Sequence, residues 1–177
     1  KTKGDNEALE SVKKITNTQK IDYQPLFSLD SSLRDTIGII IAASGNEKRW
    51  SISNYLKVIE FLKEKKYNKF LIVSGIDQSQ DENIIKEKFT DNTEIIFTSE
   101  KKIKDVIPHL KKCKFCIGND TGFSHLSVNF DIETLVIHGD CPPQFYSKLI
   151  KHVDIEPNVT RSSNSINTIK IERVLNE

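Results

Sequence analysis

The sequence predicts an α/β fold: a Rossmann-like parallel sheet with helices on both faces. Short and almost wholly apolar runs recur along the chain, as expected for parallel strands that are covered on both faces. Longer segments, whose apolar residues recur at helical spacing, separate these runs. Strands that alternate with helices in this way indicate a parallel sheet.

The predicted elements follow one another from residue 36. The first strand is a nearly all-apolar run over residues 37–43. The helix after it repeats Leu56, Ile59 and Leu62 at helical spacing, and Ser51 or Ser53 is its expected cap. The later strands are expected over residues 70–73, 94–97, 115–117 and 133–138. The four helices are expected over about residues 53–66, 80–89, 102–112 and 122–130.

The regular pattern covers only the middle of the chain. Residues 1–35 differ from the rest and are predicted to be a connector from a missing N-terminal domain. Residues 36–150 form the predicted Rossmann-like domain, and residues 151–177 a polar loop with a C-terminal helix. Because the first residue is Lys1 and not methionine, we expect further residues upstream.

The composition argues against two classes of protein. The 26 Lys and Arg residues balance 25 acidic residues, whereas a nucleic-acid binder is expected to carry a strongly basic surface. No apolar run approaches the roughly 20 residues that span a bilayer, and the first residues lack an apolar signal core. We therefore expect a cytoplasmic protein without nucleic-acid partners. The lysine clusters at 63–66 and 111–114 are expected to be solvated, with peripheral membrane contact as the alternative.

The cysteines predict no metal site. Cys113 and Cys116 have the C-x-x-C spacing of redox and zinc sites, but zinc needs about four ligands and no second pair completes a set. Cys113 is expected at the end of a helix and Cys116 inside a strand. Both are predicted to be buried, reduced structural thiols.

Two segments that follow predicted strands carry the candidate binding residues. Right-handed crossovers place the carboxyl ends of the strands at one edge of the sheet, where ligands bind in such folds. After the first strand, Ser44 offers a hydroxyl and Lys48 a mobile positive charge that suits a diphosphate. The segment matches neither a P-loop nor G-x-G-x-x-G, so a solvated basic turn is the alternative.

The second segment runs from Gly118 to His125, directly after the fourth strand. Its glycines permit a tight bend, and the start of the following helix attracts anions. Thr121 adds a hydroxyl beside Gly122, and Asp120 suits sugar hydroxyls or bracing of the loop. The alternatives are that Asp120 is only the helix cap and His125 only a core histidine.

Acidic residues after the second strand are weaker candidates. Asp77, Asp81 or Glu82 occupy the place where a carboxylate accepts from ribose hydroxyls in related folds. A solvated helix start is the simpler explanation of these residues. Asp77 is retained as a candidate ribose contact.

Together these segments resemble the C-terminal domain of glycosyltransferase family 9, the ADP-heptose:lipopolysaccharide heptosyltransferase family of bacteria. The resemblance rests on Lys48-Arg49-Trp50, on the D-T-G-x-x-H segment from Asp120 to His125, and on the glycine-containing loop 138–142. It implies one half of a GT-B architecture, in which two Rossmann-like domains face a cleft. It also implies an inverting transferase that needs neither metal nor cofactor.

Carried onto the matching positions, the resemblance assigns each residue a role. Ser44, Lys48, Thr121 and Gly122 contact the donor diphosphate, and Asp120 holds the donor sugar. His125 supports this loop. The catalytic base of the family lies in the N-terminal domain, so no catalytic residue is expected in this chain.

The implied partners are a nucleotide sugar, a glycan or glycolipid acceptor and the missing N-terminal domain, at the inner face of the inner membrane. Two other functions stay open. A nucleotide-sugar epimerase of similar fold processes the donor without an acceptor, and a catalytically inactive domain serves only as a binding module.

Overall fold

The computed structural model describes residues 31–162 and 164–177. These residues contain one six-stranded sheet with the strand order β3-β2-β1-β4-β5-β6, and every pairing in it is parallel. The strands are β1 (Thr36–Ile40), β2 (Lys69–Val73), β3 (Glu94–Phe97), β4 (Cys113–Asn119), β5 (Glu133–Ile137) and β6 (Ile150–Val153). The predicted parallel α/β sheet is confirmed.

The helices between the strands are also confirmed, with bounds that differ by a few residues. They are α1 (Ile52–Glu64), α2 (Ser79–Lys88), α3 (Ile103–Leu110), α4 (Gly122–Asn129) and, near the C-terminus, α5 (Ile171–Leu175). Ser51 is the residue at the start of α1, but its side chain makes no capping bond to the helix. Its Oγ instead lies 3.0 Å from Oγ of Ser53.

Two apolar layers explain why the strands are apolar on both faces. Alternate residues of β1 point to opposite sides, so Ile39 packs in the layer formed with α1, α2 and α5. Ile40 packs in the other layer, which includes residues of α3 and the apolar side chains Phe123 and Leu126 of α4. Helices therefore cover both faces, as predicted.

The first and fourth strands differ in length from the prediction. β1 ends at Ile40 and not at residue 43, because the next two backbone N–H groups both donate to the carbonyl of Val73. β4 extends through Gly118 to Asn119, beyond the predicted residues 115–117. A Cβ on Gly118 would lie 2.8 Å from Cα of Ile40 and closer still to its carbonyl oxygen, so this glycine permits the close approach of β1 and β4.

The placement of Cys113 was predicted wrongly. It is the first residue of β4 and does not end a helix, because α3 stops at Leu110. Cys113 and Cys116 are nevertheless buried free thiols, as expected.

The sixth strand was not predicted. It pairs with β5 and begins at Ile150, where the predicted domain boundary falls. Only Ile150 and Val153 are buried, so this short edge strand lacks the continuous apolar run that identifies the others.

The two ends of the described region are attached to the sheet domain. At the start, Arg34 donates to the backbone carbonyls of Phe130 and Asp131, at 2.9 and 2.6 Å. At the other end, a 3-10 turn (Ser165–Thr168) precedes α5. The rest of the predicted connector, residues 1–30, lies outside the described residues. Within the described residues, no helix is both long and apolar enough to cross a membrane.

Candidate functional site

A cavity of about 480 Å³ opens at the carboxyl edge of the sheet, next to the ends of β1, β2 and β4. Four of the predicted residues line it, namely Ser44, Asp77, Thr121 and Gly122. The structure therefore brings together side chains that lie up to 78 positions apart in the sequence. A second groove, of about 380 Å³ between α1 and α5, contains none of the predicted residues.

The walls of this cavity combine apolar and polar groups. Ala42, Phe123 and Leu126 supply apolar surface, and so does Ile103, whose side chain is 64% exposed. Ser44 and Thr121 supply hydroxyls on the same cavity. A flat apolar wall suits a heterocyclic base, while the hydroxyls suit the sugar and phosphate groups attached to it.

Thr121 and Gly122 form the start of α4. Thr121 has an extended backbone, and its Oγ accepts a hydrogen bond from the N–H of Phe123 at 3.2 Å. Thr121 is therefore the helix cap, and the alternative that Asp120 is merely the cap is wrong. A Cβ added to Gly122 would meet nothing within 4 Å. The first turn of α4 is thus open to an approaching ligand.

Asp120 is held between two histidines. Its Oδ1 lies 3.0 Å from Nε2 of His125, and its Oδ2 lies 3.6 Å from Nδ1 of His138. The hydrogen bond with His125, followed by the contact with His138, holds the pKa of Asp120 well below its ordinary value despite burial. The side chain of Asp120 is 20% exposed, so an ionised carboxylate still reaches the surface.

His125 is a half-buried residue and not a core histidine. Besides Asp120, its ring contacts the hydroxyl of Tyr146 through Nδ1. His125 therefore connects α4 to the loop after β5.

Asn119 joins the two predicted binding segments but is not one of the predicted site residues. Its buried Oδ1 accepts from the N–H of Trp50 at 3.0 Å and from the hydroxyl of Tyr55 at 2.8 Å. Its Nδ2 donates to the carbonyl of Ile41 at 2.9 Å. The end of β4 is thereby connected to both ends of the loop that carries Ser44 and Lys48. The feature of the sequence that could have identified Asn119 is its position next to Asp120, at the end of a strand.

Lys48 is not among the residues that line the cavity. It ends a short 3-10 turn (Asn46–Lys48) and is half-buried. Burial and then Asp140 raise the pKa of the Cys141 thiol, and the charge of Lys48 opposes this rise. The charge of Lys48, like that of Asp120, therefore acts on the loop after β5.

The acidic residues after β2 have different surroundings. Asp77 is exposed at the rim of the cavity and forms an ion pair with Arg49. Glu82 is only 2% exposed and accepts hydrogen bonds from the side chain of Ser74, the backbone N–H of Thr98 and the backbone and side chain of Ser99. Glu82 therefore holds the ends of β2 and β3 together, and its carboxylate is already hydrogen-bonded within the protein.

Replacing Glu82 with glutamine is expected to lower the free energy of unfolding by about 2 kcal/mol at neutral pH, since hydrogen bonds to a buried charge are lost. Burial raises the pKa of Glu82, but the hydrogen bonds outweigh it and the net pKa is lowered. This contribution is present above the unfolded-state pKa and is lost as pH falls through the folded-state pKa. Urea unfolding at neutral and acidic pH measures it, with exposed Glu87→Gln on the same helix as the control. An equal loss in both variants would contradict the assignment.

Among residues 31–162 and 164–177, no group of three or more His, Cys, Asp or Glu side chains is arranged to hold a metal ion.

The model of glycosyltransferase family 9 (heptosyltransferase) matches residues 5–173. The chain belongs to this family. The match includes both predicted binding segments and confirms the resemblance seen in the sequence. No curated protein matches the chain.

Solved structures of heptosyltransferases have the same fold as this family 9 chain. E. coli heptosyltransferase WaaC with ADP-2-deoxy-2-fluoro heptose is 18% identical, with a TM-score of 0.70 over 97% of this chain and 53% of that one. E. coli ADP-heptose lps heptosyltransferase II is 17% identical, with a TM-score of 0.69 over 99% and 50%. WaaC with ADP is 17% identical, with a TM-score of 0.66 over 84% and 44%. The chain spans about half the length of these proteins and has the fold of one half of the GT-B architecture.

Beyond Asn119, the structure adds three residues to the candidate site of this family 9 chain that the sequence analysis did not single out. They are His138 at the end of β5, His152 in β6, and Tyr146 between these strands. His138 is the last residue of the predicted strand 133–138 and directly follows β5 as observed, which was a usable signal. His152 lies in the unpredicted strand, so its sequence gave no indication of its position.

Proposed function

We propose that this chain is the donor-binding half of an inverting glycosyltransferase that moves heptose from ADP-heptose onto a lipopolysaccharide-type glycan. The observation that carries the proposal is the cavity at the carboxyl edge, where Ser44, Thr121 and Gly122 adjoin an apolar wall. The structures of WaaC with ADP and with ADP-2-deoxy-2-fluoro heptose support the choice of an ADP-sugar.

The residues on either side of Thr121 suggest how such a donor is oriented in the site. The base packs against Ile103 and Phe123 within the cavity, with the ribose towards Asp77. The diphosphate meets the first turn of α4, where Thr121 and the backbone N–H groups favour an anion.

On the other side of Thr121, Asp120 accepts from hydroxyls of the donor sugar. Ser44 and Lys48 contact the diphosphate from the loop after β1, and His125 supports Asp120 by its 3.0 Å contact. The proposal needs neither a metal ion nor a cofactor, because the chain's own donors and cations face the donor's negative charge.

Transfer itself requires groups that we assign to an N-terminal domain. That domain supplies the catalytic base and faces this chain across a cleft, with the glycan acceptor between them. The chain alone therefore binds the donor without transferring sugar. We place the complete protein in the cytoplasm, at the inner face of the inner membrane, where a glycolipid acceptor is accessible.

Calorimetry with ADP, UDP, GDP and ADP-heptose tests the proposal. We expect ADP and ADP-heptose to bind most tightly, and Lys48→Ala to weaken ADP binding about 10-fold through loss of one charge-assisted contact. Lys57→Ala is the matched control, because Lys57 is exposed on α1 away from the site. Its affinity for ADP should equal that of the unaltered chain.

Three results would count against the proposal. If none of the four ligands binds while circular dichroism shows an intact fold, the donor-binding function is wrong. If Lys48→Ala and Lys57→Ala weaken ADP equally, the site is misplaced. Conversion of ADP-heptose without any acceptor would identify an epimerase instead.

A further inference from the structure

Arg161 lies in the segment after β6, outside the predicted binding segments. Its side chain is 30% exposed, and its guanidinium group contacts three acceptors. Nη1 donates to the backbone carbonyls of Gly139 and Cys141, each at 3.0 Å. Nη2 forms an ion pair with the carboxylate of Asp154, the first residue after β6. One side chain therefore attaches the loop after β5 to the end of β6.

Asp154 fixes the direction of this guanidinium group. Its Oδ1 accepts a hydrogen bond from the backbone N–H of Ile155 at 2.8 Å, and its Oδ2 pairs with Arg161. Because the guanidinium group is planar and rigid, pairing one side with a fixed carboxylate sets the direction of its other N–H groups. Nη1 is thus directed at the loop after β5.

The loop after β5 is packed on both sides of Gly139. The hydroxyl of Ser165 donates to the carbonyl of Gly139 at 3.1 Å. A Cβ added to Gly139 would lie 2.5 Å from Cβ of Ile166 and 3.0 Å from the carbonyl oxygen of Glu47. The backbone of Gly139 therefore lies directly between the C-terminal segment and the 3-10 turn Asn46–Lys48.

Lys48 ends this 3-10 turn and directly follows Glu47. Its backbone N–H donates to the carbonyl of Gly45 at 3.2 Å, which maintains the shape of the turn. The position of the turn relative to the sheet depends on its neighbours, among them Gly139. The charge of Lys48 also opposes the rise in the pKa of the Cys141 thiol, so Lys48 acts on the loop that Arg161 holds.

The end of the binding loop is held separately. The backbone N–H of Trp50 donates to Asn119, and its indole Nε1 donates to the carbonyl of Ile169 at 3.1 Å. These two bonds fix Trp50, whereas the turn with Lys48 lies earlier in the loop and packs against Gly139. Arg161 and Asn119 therefore support different parts of the same loop.

We propose that Arg161 is a positioning residue of the donor site, which holds the loop after β5 against the turn Asn46–Lys48 and thereby keeps Lys48 in place for a diphosphate. Arg161 acts through Gly139 and Lys48 and is assigned no contact with the ligand. The ligand part of this inference rests on the proposed function, whereas the attachment of the two loops by Arg161 does not.

Calorimetry on Arg161→Ala measures the effect on ligand binding. An ammonium group that is positioned before binding loses less freedom when it contacts a phosphate, so we expect ADP to bind about 5-fold more weakly in this variant. Adenosine has no diphosphate, and its affinity should stay the same. Loss of ADP and adenosine affinity by the same factor would contradict a role that passes through Lys48.

Arg173→Ala is the matched control. Arg173 is 39% exposed, donates to the backbone carbonyl of Asp154 at 2.6 Å and pairs with Glu156 at 3.0 Å. The substitution removes a guanidinium group from the same part of the chain, but neither contact involves the loop after β5. Its ADP affinity should equal that of the unaltered chain. An equal loss in Arg161→Ala and Arg173→Ala would overturn the inference, since a lost positive charge or lower stability would explain both.

A double-mutant cycle tests the action through Lys48. In a chain that already carries Lys48→Ala, the further substitution Arg161→Ala should weaken ADP binding by less than about 2-fold, because there is no ammonium group left to position. If Arg161→Ala weakens ADP binding by the same factor with and without Lys48, the two residues act independently and the inference is wrong.

Hydrogen exchange followed by NMR on the full chain tests the attachment without ligand. The amides of Lys48 and Arg49 donate to Gly45 and Asn46, so their exchange reports opening of the turn. We expect both amides to exchange at least about 5-fold faster in Arg161→Ala, with unchanged exchange in α2 and in Arg173→Ala. Unchanged exchange at Lys48 and Arg49 in Arg161→Ala would overturn the inference. Since no ADP is present, this result separates failure of the inference from failure of the proposed function.

Discussion

Asn119→Ala is expected to lower the free energy of unfolding by about 3 kcal/mol. Asn119 is 0% exposed, and its removal leaves the N–H of Trp50 and the carbonyl of Ile41 without their partner. An unsatisfied buried polar group costs about 1–3 kcal/mol, and a cavity adds to the loss. Urea unfolding followed by circular dichroism measures the change.

The same substitution should weaken ADP binding at least about 10-fold in the protein that remains folded, because the loop with Ser44 and Lys48 loses its connection to β4. Asn83→Ala is the control, since Asn83 is exposed on α2 and should change stability by less than about 0.5 kcal/mol. A loss of stability in Asn119→Ala without any change in ADP affinity would mean that Asn119 does not position the binding loop.

Alanine substitutions at Gly118 and Gly122 are expected to have opposite effects. Gly118→Ala should lower the free energy of unfolding by about 3 kcal/mol, because its Cβ would clash with the backbone of Ile40. Gly122→Ala should raise it by about 0.5 kcal/mol, because alanine fits the open helix start and restricts the unfolded chain.

For ADP binding, the harmful substitution should be the one at Gly122, which stabilises the fold. The Cβ of Gly122→Ala projects into open space next to the cavity, where we place the donor diphosphate, so ADP should bind about 10-fold more weakly. Thermal unfolding measures the stability of both variants, and calorimetry measures their affinity for ADP. Each variant serves as the control for the other. Full ADP affinity in Gly122→Ala would place the diphosphate elsewhere.

The parts of the fold that were predicted correctly depend on local patterns. β3 was predicted with its observed bounds, Glu94–Phe97, because the residues after Glu94 are a short apolar run that ends at a polar turn. The end of β4 was missed because glycine usually marks a turn in sequence, whereas Gly118 serves close packing against Ile40. β6 was missed because an edge strand needs only Ile150 and Val153 to face the interior.

The candidate site also divides into residues that local sequence patterns predict and contacts that such patterns do not predict. Thr121 and Gly122 were identified because a strand that passes directly into a helix creates an anion site, and this is a local property. The contacts of Asp120 with His138, and of Glu82 with Thr98, join residues that are distant in sequence. Nothing in the neighbourhood of any one of these residues indicates its partner.

The sequence by itself therefore determined the parallel α/β fold, the family and the edge of the sheet where the binding residues gather. These follow from periodicity and from the D-T-G-x-x-H segment, which are encoded within short stretches of chain. Only the tertiary structure decided that Asn119 links the two binding loops and that Asp120 lies between His125 and His138. Such contacts depend on the strand order, which places β4 between β1 and β5. Burial then makes each hydrogen bond and charge matter, because no water is available to replace a missing partner.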